Sequence, residues 1–369
     1  MVDVDLQVLA DEVCRLGRAA GLTAVGIAPA APFEDTRRVL EERRRDGLHG
    51  GMQFTYRNPA RSTDPGRTVA GAQALVVGAW DYRRAAPANG TEQGEVARYA
   101  WRDHYADLRD ALEQIAVHLR AAGWTARVVV DDNALVDREA AYRAGLGWYG
   151  KNTNLLLDGQ GSWFVLGSVV TDAPLPETGP PRADGCGPCS RCLSACPTGA
   201  LVAPGVLDAR RCLAWLLQVT GPFPREYREA LGGRVYGCDD CQEVCPPNRA
   251  LDRVDPAPPA EADAQAHVDL LALLSLDDAS LMRDVGRWYV PRREARYVRR
   301  NALVALGNVG NGDDPAVVDA LRRCLADDDA IVRGHAVWAA AQLGRHELLA
   351  TLVDEDDPDV RAELAAVGR

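Results

Sequence analysis

Eight of the ten cysteines in the chain lie between positions 186 and 245. The first run, CGPCSRCLSACP, has the spacing C-x2-C-x2-C-x3-C-P, with Cys186, Cys189, Cys192 and Cys196. Three cysteines at successive two-residue spacings, followed by a fourth before a proline, are typical of proteins that bind 4Fe–4S clusters. In such runs the fourth cysteine ligates the other cluster of a pair. The run therefore predicts iron–sulfur chemistry, the transfer of single electrons.

A second run follows in CDDCQEVCP, with Cys238, Cys241 and Cys245, and it lacks the first cysteine of the pattern. Cys212, in the upstream segment DARRCLAWLL, can supply the missing thiolate. We assign the ligands by the crossed pattern of two-cluster ferredoxins. One set is Cys186, Cys189, Cys192 and Cys245, and the other is Cys196, Cys212, Cys238 and Cys241. The sequence therefore predicts two 4Fe–4S clusters that conduct electrons.

Zinc is the alternative metal for these cysteines, because paired C-x2-C motifs also form tetrahedral zinc sites. Zinc requires only two such pairs, however, and the additional spacing before the proline favours iron–sulfur clusters. Disulfides are disfavoured in a reducing compartment. The remaining cysteines, Cys14 and Cys324, lie on apolar helical faces and are expected to be inert core residues.

Composition restricts the class of protein. The 369 residues suffice for two or three domains. The formal charge of −11 argues against nonspecific coating of nucleic acid, although it allows a local basic patch. The N-terminal segment has apolar residues at Leu6, Leu9, Val13 and Leu16, which predicts an amphipathic helix and not a signal segment. Because no apolar run reaches membrane-spanning length, we expect a soluble, cytoplasmic protein without a membrane partner.

The elements that must position the cysteines are predicted from apolar runs and from breaks between them. AQALVVGAW, ARVVVDD and SWFVLGSVV have the composition of buried strands and alternate with helical stretches. The predicted fold class is α+β and multidomain. Its parts are an N-terminal α/β domain over 1–172, a ferredoxin-like two-cluster module over 173–255, a linker over 256–275 and HEAT-like helical repeats over 276–369.

The repeats are visible in the last part of the chain. YVRRNALVALGNVG, IVRGHAVWAAAQLG and DVRAELAAVG share a Val-Arg start and an apolar helical face. Such units cannot bury their apolar faces alone, so they stack into a short solenoid. An ordinary helical bundle is the alternative, and in both cases this end is expected to be noncatalytic.

A candidate catalytic group lies in the stretch VVVDDNALVDREAAYRAGLGWYGKNTNLL. Asp131 follows a predicted buried strand, at the end where open α/β sheets place ligands and catalytic groups. The next helix is predicted to begin near Ala134. Capping of that helix is therefore the alternative role for Asp131 or Asp132.

Two further features of this stretch could suggest a ligand site. They are the glycine-rich segment GLGWYG and Lys151. GLGWYG follows a helix and precedes a strand, which is the reverse of a dinucleotide-binding loop. Gly145 is therefore predicted to cap the helix, and no NAD is expected. Lys151, the only lysine, is either a point charge for a bound ligand or a solvated turn residue.

Together these motifs resemble one protein family. The stretch around Asp131, then CGPCSRCLSACPTGAL, DARRCLAWLL, GGRVYGCDDCQEVCPPN and a helical tail with RRNALVALGN, is similar to the epoxyqueuosine reductases over nearly the whole chain. Members of that family are cobalamin-dependent iron–sulfur enzymes of tRNA modification. The resemblance implies an oxidoreductase that converts the epoxide of epoxyqueuosine in tRNA to the alkene of queuosine.

The resemblance also implies a cofactor and roles for particular residues. A cobalamin is expected between the α/β domain and the cluster module, and an external donor such as a flavodoxin or ferredoxin would supply electrons to a monomeric enzyme. Asp131 matches the proton donor of the family. Positions that match the cofactor lining, largely through backbone or apolar contact, are Arg61, Ala97, Asp131, Leu155, Leu166 and Ala214.

A basic and aromatic segment, RWYVPRREARYVRR over 287–300, is the local feature that suits RNA. It contains six arginines, three aromatic residues and one acid, which fits phosphate contact and stacking on unpaired bases, as in a tRNA anticodon region. The candidate contacts are Arg287, Arg292, Arg293, Arg296, Arg299 and Arg300. The alternative is that Arg299 and Arg300 only decorate the first repeat helix.

Two other functions remain open from the sequence. Near the expected substrate side, the chain has His104 before Tyr105, and Ser168, Thr220 and Pro247 where relatives usually carry other residues. These departures are compatible with a related cobalamin and iron–sulfur enzyme that acts on a small molecule, as the reductive dehalogenases do. An electron-transfer scaffold without cobalamin is the other alternative.

Overall fold

The computed structural model describes residues 5–88, 90 and 92–368. The strands are β1 (Ala24–Pro29), β2 (Ala74–Asp81), β3 (Gln93–Val96), β4 (Ala126–Val130), β5 (Gly147–Tyr149), β6 (Leu155–Leu157), β7 (Phe164–Thr171), β8 (Leu201–Ala203), β9 (Val206–Leu207), β10 (Arg234–Tyr236) and β11 (His267–Asp269). The helices are α1 (Leu6–Ala19), α2 (Glu34–Arg45), α3 (Pro59–Ser62), α4 (His104–Ala121), α5 (Asp137–Arg143), α6 (Arg191–Ala195), α7 (Leu213–Leu216), α8 (Arg228–Leu231), α9 (Asp240–Glu243), α10 (Pro246–Val254), α11 (Leu270–Ser275), α12 (Asp278–Asp284), α13 (Arg296–Val309), α14 (Pro315–Leu325), α15 (Ala330–Gln342) and α16 (Pro358–Val367).

The chain divides into two compact units, and each unit is discontinuous in sequence. Unit 1 comprises Met1–Ala85, Asp103–Arg210 and Asp240–Pro258, and unit 2 comprises Ala86–Arg102, Arg211–Asp239 and Pro259–Arg369. The first cysteine run therefore lies wholly in unit 1, whereas the second run is divided between the units. The four-part division expected from the sequence stays a prediction.

Unit 1 is built on a four-stranded sheet in the order β1-β2-β7-β4. The three predicted buried strands form β2, β4 and β7, which confirms that part of the prediction. Every neighbouring pair in the sheet is antiparallel. The sequence did not reveal strand direction, because a strand that is buried on both faces has the same apolar run in either direction.

Helices cover both faces of this sheet. On one face α4 packs against β4, β7 and β2, with α1 beside it. Glycine permits this close packing, since a Cβ at Gly167 would lie 2.8 Å from a methyl carbon of Leu112 in α4. On the other face Ala140 of α5, Leu155 of β6 and Leu135, which precedes α5, belong to an apolar core that also includes Leu75 of β2. The end of β4, where Asp131 follows, is therefore held between two packed layers.

The segment after α5 agrees with the sequence prediction. Gly145 has φ +70°, and its N–H donates to the carbonyl of Tyr142 at 3.0 Å, so the glycine ends the helix as expected. The chain then forms the antiparallel hairpin β5–β6, whose turn carries Lys151 and Asn152. Lys151 and Asn152 donate hydrogen bonds to main-chain carbonyls of the segments that carry the cysteines.

Unit 2 combines a small sheet with stacked helices. The sheet has the order β10-β3-β11, with a parallel pair followed by an antiparallel pair. Helices α13, α14, α15 and α16 pack on one another and share one apolar core with this sheet. The helical end expected from the sequence is thereby confirmed.

Two further expectations concern buried cysteines and membrane spans. Cys14 and Cys324 are 7% and 3% exposed, and burial raises the pKa of both thiols, that of Cys324 to about 12. Both are core residues, as predicted. Among the residues that the structure describes, none of the helices has the length and apolar character needed to cross a membrane.

Candidate functional site

The cysteines assigned to one cluster come together in unit 1. Burial is the main cause that raises the pKa of the Cys245 thiol to about 11, and a hydrogen bond from the N–H of Asn248 opposes it. The charges of three other thiols, those of Cys186, Cys192 and Cys189, raise this pKa further. These values describe thiols without metal, since a coordinating metal deprotonates them. The four sulfurs therefore lie within electrostatic reach of one another, as ligands of one cluster must.

Local structure shapes the loop that carries three of these thiols. The carboxylate of Asp184 accepts a hydrogen bond from the N–H of Cys186 at 2.8 Å, and the N–H of Cys189 donates to the carbonyl of Cys186 at 3.1 Å. Gly187 between them has φ +49°, a conformation that glycine adopts without strain. Cys245 stands at the N-terminal end of α10, directly before two prolines. The four cysteines of this set thus come from two separate segments of unit 1.

The second set of four cysteines is divided between the units. Cys196 and Cys241 belong to unit 1, and Cys212 and Cys238 belong to unit 2. The Cys196 sulfur accepts a hydrogen bond from the N–H of Ala200 at 3.2 Å, an interaction that suits an anionic thiolate. Among the described residues, no group of three or more His, Cys, Asp or Glu is placed to hold a single metal ion. The assignment of both sets of cysteines stays a prediction.

Side chains near the β5–β6 hairpin hold both cysteine runs in place. The Lys151 ammonium donates to carbonyls of the first run, and the Asn152 amide donates to the carbonyl of Cys241 at 3.4 Å. Asn248, 1% exposed, accepts from the N–H of Ser162 at 2.7 Å and donates to its hydroxyl at 3.0 Å. Sequence reasoning missed Asn152, Ser162 and Asn248, because their partners are distant in sequence.

Asp131 follows β4 directly and has φ +50°, a left-handed conformation that aspartate tolerates better than most residues. The residue is exposed, yet the protein around the carboxyl group desolvates it enough to raise its pKa. The charge of Arg109 opposes this rise. Among the described residues, no hydrogen bond or ion pair engages the Asp131 carboxyl group. A carboxyl group in this setting is available to donate a proton.

The structure decides against helix capping as the role of the two aspartates. Helix α5 begins at Asp137, later than predicted, and no side chain caps it at Val136. The Asp132 carboxylate instead accepts from the N–H of Ala134 at 2.8 Å and lies 4.0 Å from the guanidinium of Arg61. Asp132 therefore shapes the turn after β4, and this turn presents Asp131.

Asp137, in the first turn of α5, is a second carboxyl group near Asp131. Its Oδ1 is buried and has no hydrogen-bond partner among the described residues. Burial, and then the charge of Asp131, raises its pKa well above the usual range, which favours the protonated form. Sequence reasoning missed it, because an acid in the first turn of a helix is normally explained by the helix dipole.

The residues expected to line a cobalamin fit that role only in part. In unit 1, Asp131 is exposed and Arg61 is largely so, whereas Leu155 and Leu166 are 2% and 8% exposed and belong to the apolar core. Contact with a cofactor at the two leucines would therefore come from main-chain groups. Ala97 and Ala214 lie in unit 2. Their expected roles stay predictions.

Comparison with known proteins identifies an iron–sulfur domain and decides the family. Sequence profiles match residues 185–248 to a 4Fe-4S double cluster binding domain, 291–368 to HEAT repeats, and 62–132 to epoxyqueuosine reductase QueG, DUF1730. An epoxyqueuosine reductase of Xanthomonas campestris pv. campestris is 36% identical over 89% of this chain and 94% of the relative. The chain belongs to the epoxyqueuosine reductase family. It is accordingly an oxidoreductase with a 4Fe–4S-binding domain.

Solved structures of epoxyqueuosine reductases share this fold. One, in complex with a tRNA-Tyr stem loop that carries epoxyqueuosine, is 27% identical, covers 98% of both chains and has a TM-score of 0.88. Another, from Bacillus subtilis, has its catalytic aspartate loop swung out of the active site. It is 28% identical to this chain and has a TM-score of 0.87. The match covers 98% of this chain and 99% of the Bacillus subtilis chain. The HEAT-like repeats and the cluster domain of this family member are thus confirmed.

The basic segment of this chain is less available to RNA than its sequence suggests. Arg296 pairs with Glu294 and Asp329, and Arg299 pairs with Asp278. A cavity of about 680 Å³ adjoins these residues, and its lining contains five acids and four arginines, so it does not favour phosphate. Neutralised arginines contribute little to phosphate attraction.

Three arginines of the segment are exposed. Arg287 and Arg293 donate to main-chain carbonyls, and Arg287 also donates to the amide oxygen of Gln265 at 3.0 Å. Arg292 is exposed with φ +53° and makes no hydrogen bond or ion pair within the part of the chain described. Tyr289 beside them is 59% exposed. These four residues form what we call the basic turn.

Arg300 is not available for RNA contact, which corrects the expectation from the sequence. It is 0% exposed in α13, and burial lowers the pKa of its guanidinium to about 10. Its donors are used by main-chain carbonyls and one side chain, those of Leu216, Leu217, Val219, Gly221 and Asn301. The alternative, in which this arginine belongs to the repeat structure, is the correct one.

Replacement of Arg300 by methionine is expected to destabilise unit 2. Buried carbonyls that lose their donors each cost about 1–3 kcal/mol, so we expect the free energy of unfolding to fall by about 2–5 kcal/mol. Arg299→Met is the matched control, because its ion pair with a largely exposed Asp278 is worth about 1 kcal/mol or less. Chemical denaturation followed by circular dichroism measures both, and equal losses in the two variants would contradict the argument.

Proposed function

We propose that this protein reduces the epoxide of epoxyqueuosine in tRNA to the alkene of queuosine, with a cobalamin and two 4Fe–4S clusters. Removing the epoxide oxygen takes two electrons and two protons and releases water. The observation that carries the proposal is the unpaired, partly desolvated carboxyl group of Asp131 at the end of β4, in a chain of this family. Because the substrate is tRNA, we place the reaction in the cytoplasm.

Asp131 is the proposed proton donor to the departing epoxide oxygen. An efficient general acid has a pKa near the working pH, and burial moves this carboxyl group in that direction. Asp132 shapes the turn, and the protonated form favoured at Asp137 limits further negative charge beside Asp131. The catalytic aspartate loop of the Bacillus subtilis relative supports this assignment.

A bound cobalamin would supply a reduced metal that delivers electrons to the carbon from which the epoxide oxygen departs. In unit 1 this chain would offer Arg61 to polar groups of such a cofactor and main-chain groups of Leu155 and Leu166 to its ring. The resemblance also implies a role for Ala97 and Ala214, which belong to unit 2. The position of Arg61 beside Asp132, in the turn that presents Asp131, supports this placement.

The clusters would be held by the two sets of cysteines assigned from the spacing. The grouping of Cys186, Cys189, Cys192 and Cys245 in unit 1 supports the first set. Electrons would enter one at a time from an external flavodoxin or ferredoxin and pass through both clusters. The enzyme would work as a monomer.

The basic turn is the proposed contact for the tRNA. Its exposed arginines would bind phosphates, and Tyr289 would stack on an unpaired base. A relative binds an epoxyqueuosine-modified tRNA stem loop, which supports RNA as the substrate. Arg296 and Arg299 would contribute less, because acids neutralise them.

Charge reversal in the basic turn is expected to weaken tRNA binding. Arg292→Glu should lower the affinity for an anticodon stem loop, and the slope of log affinity against log salt should fall by about one. Arg361→Glu, an exposed arginine on α16, is the control and should change neither quantity. Fluorescence anisotropy across a salt series measures both variants. An unchanged salt slope for Arg292→Glu would place the RNA elsewhere.

The proposed reaction is tested with anaerobically purified protein that has been reconstituted with iron, sulfide and cobalamin. We expect it to convert an epoxyqueuosine-containing stem loop to queuosine, detected by mass spectrometry of the nucleosides. A corrin absorbance spectrum of the same sample tests whether the cofactor binds. Fully loaded protein that leaves the stem loop unchanged but turns over a small halogenated compound would favour the small-molecule alternative. Protein that holds clusters and no corrin would favour the scaffold.

A further inference from the structure

Lys151 is the only lysine of the chain, and the proposed reaction gives it no role. It lies in the turn between β5 and β6. Its ammonium donates to the carbonyl oxygen of Gly187 at 2.6 Å and to that of Cys189 at 2.9 Å. Both carbonyls belong to the loop that carries the first cysteines. The residue is therefore neither a solvated turn lysine nor a group directed at a substrate.

The charge of this ammonium is not neutralised. Carbonyl oxygens are neutral acceptors, and within the described ranges no carboxylate pairs with Lys151. A lysine side chain is positively charged at neutral pH. The loop therefore carries a fixed positive charge on one side.

Covalent geometry places this charge close to a cluster ligand. The carbonyl oxygen and the sulfur of one cysteine are only a few bonds apart, so the ammonium lies within roughly 8 Å of the Cys189 sulfur. Reduction adds one electron to a cluster that its four thiolates already make negative. A nearby cation therefore stabilises the reduced form and raises the reduction potential.

We propose that Lys151 sets the reduction potential of the cluster held by Cys186, Cys189, Cys192 and Cys245, through an uncompensated positive charge placed against the ligand loop. This inference rests on the cluster assignment in the proposed function. It makes Lys151 a residue that tunes electron transfer and not a catalytic residue. An ammonium group is compact and has three donors, so it can donate to both carbonyls at once.

The test compares Lys151→Met, which removes the charge, with Lys151→Arg, which keeps it. We expect Lys151→Met to keep its iron and to lower the reduced-to-oxidised ratio of one cluster by about tenfold at a fixed potential, which is ~59 mV for one electron. The reduction potential of the other cluster should not change. In Lys151→Arg the potential of the first cluster should stay close to the wild-type value. A redox titration followed by electron paramagnetic resonance measures these values without turnover.

Each outcome decides the question. An unchanged potential in Lys151→Met overturns the proposal. If Lys151→Met loses its iron, Lys151→Gln provides the same measurement, because an amide can donate to a carbonyl without a charge. Loss of iron from both uncharged variants assigns Lys151 to holding the loop in place and also overturns the proposal. Wild-type protein that binds no cluster would instead overturn the proposed function, so the two failures are distinguishable.

Discussion

Asp131→Asn is expected to lower turnover of the epoxyqueuosine stem loop by about 100- to 10,000-fold, the range that general acids contribute. Asparagine keeps the size of the side chain and also tolerates the left-handed conformation at φ +50°, so the turn after β4 should be preserved. It has no acidic proton to give to the departing oxygen. Single-turnover assays with saturating reductant measure the loss, and iron content and corrin absorbance should stay at wild-type levels.

The neighbouring variant Asp132→Asn is the matched control for this prediction. Its side-chain oxygen can still accept the hydrogen bond from the N–H of Ala134, so we expect a change of less than about tenfold. Equal losses in the two variants would mean that the turn, and not the Asp131 proton, controls turnover. Full activity in Asp131→Asn would remove this residue from the catalytic machinery.

The pH dependence follows from the same group. Burial raises the pKa of Asp131 and Arg109 opposes that rise, so the protonated, active form persists to a higher pH than for an ordinary aspartate. Turnover is expected to fall as the pH rises through this raised pKa. Arg109→Met removes the charge that opposes the rise in the pKa of Asp131. In this variant the fall in turnover with rising pH should therefore occur at a higher pH. A shift to lower pH would contradict the assignment of Asp131 as the acid.

Cys245→Ala is expected to remove one of the two proposed clusters. About half of the iron should be lost, and turnover should fall to background because electrons must pass through both clusters. The physical basis is the electrostatic proximity of Cys245 to the thiols of Cys186, Cys189 and Cys192. Iron analysis and electron paramagnetic resonance of anaerobically purified protein measure the result.

Cys14→Ala is the control for the cysteine variant. Cys14 is also a buried cysteine of unit 1, but it lies on α1 in the core, so its loss should leave iron content and turnover unchanged. Full iron content in Cys245→Ala would exclude this residue as a ligand. Zinc in place of iron in the wild-type protein would overturn the cluster assignment itself.

The sequence alone indicated the metal chemistry, the buried strands, the helical repeats and the family. These features depend on residues that are close together in sequence: the spacing of a cysteine run, the apolar run of β2 or β7, and a glycine such as Gly145 after a helix. Ligand spacing and turn conformation are local properties. For that reason they can be predicted without knowledge of the folded chain.

The roles of individual polar residues were less predictable. The six arginines of the basic segment are alike in sequence, but one is 0% exposed, two pair with acids and three are exposed. The difference between these arginines depends on their partners. Asp278 and Asp329, for example, come close to Arg299 and Arg296 only when the chain is folded. Burial and pairing are properties of contacts between distant segments.

The sequence by itself thus determined which chemistry this protein contains, because the cysteine spacing and the family motifs are written in consecutive residues. Only the tertiary structure decided how that chemistry is supported. It paired the strands antiparallel, left the carboxyl group of Asp131 without a partner, and directed the ammonium of Lys151 at the carbonyls of Gly187 and Cys189. The physical reason is that desolvation and electrostatic pairing depend on distances in space, which residues far apart in the chain acquire only on folding.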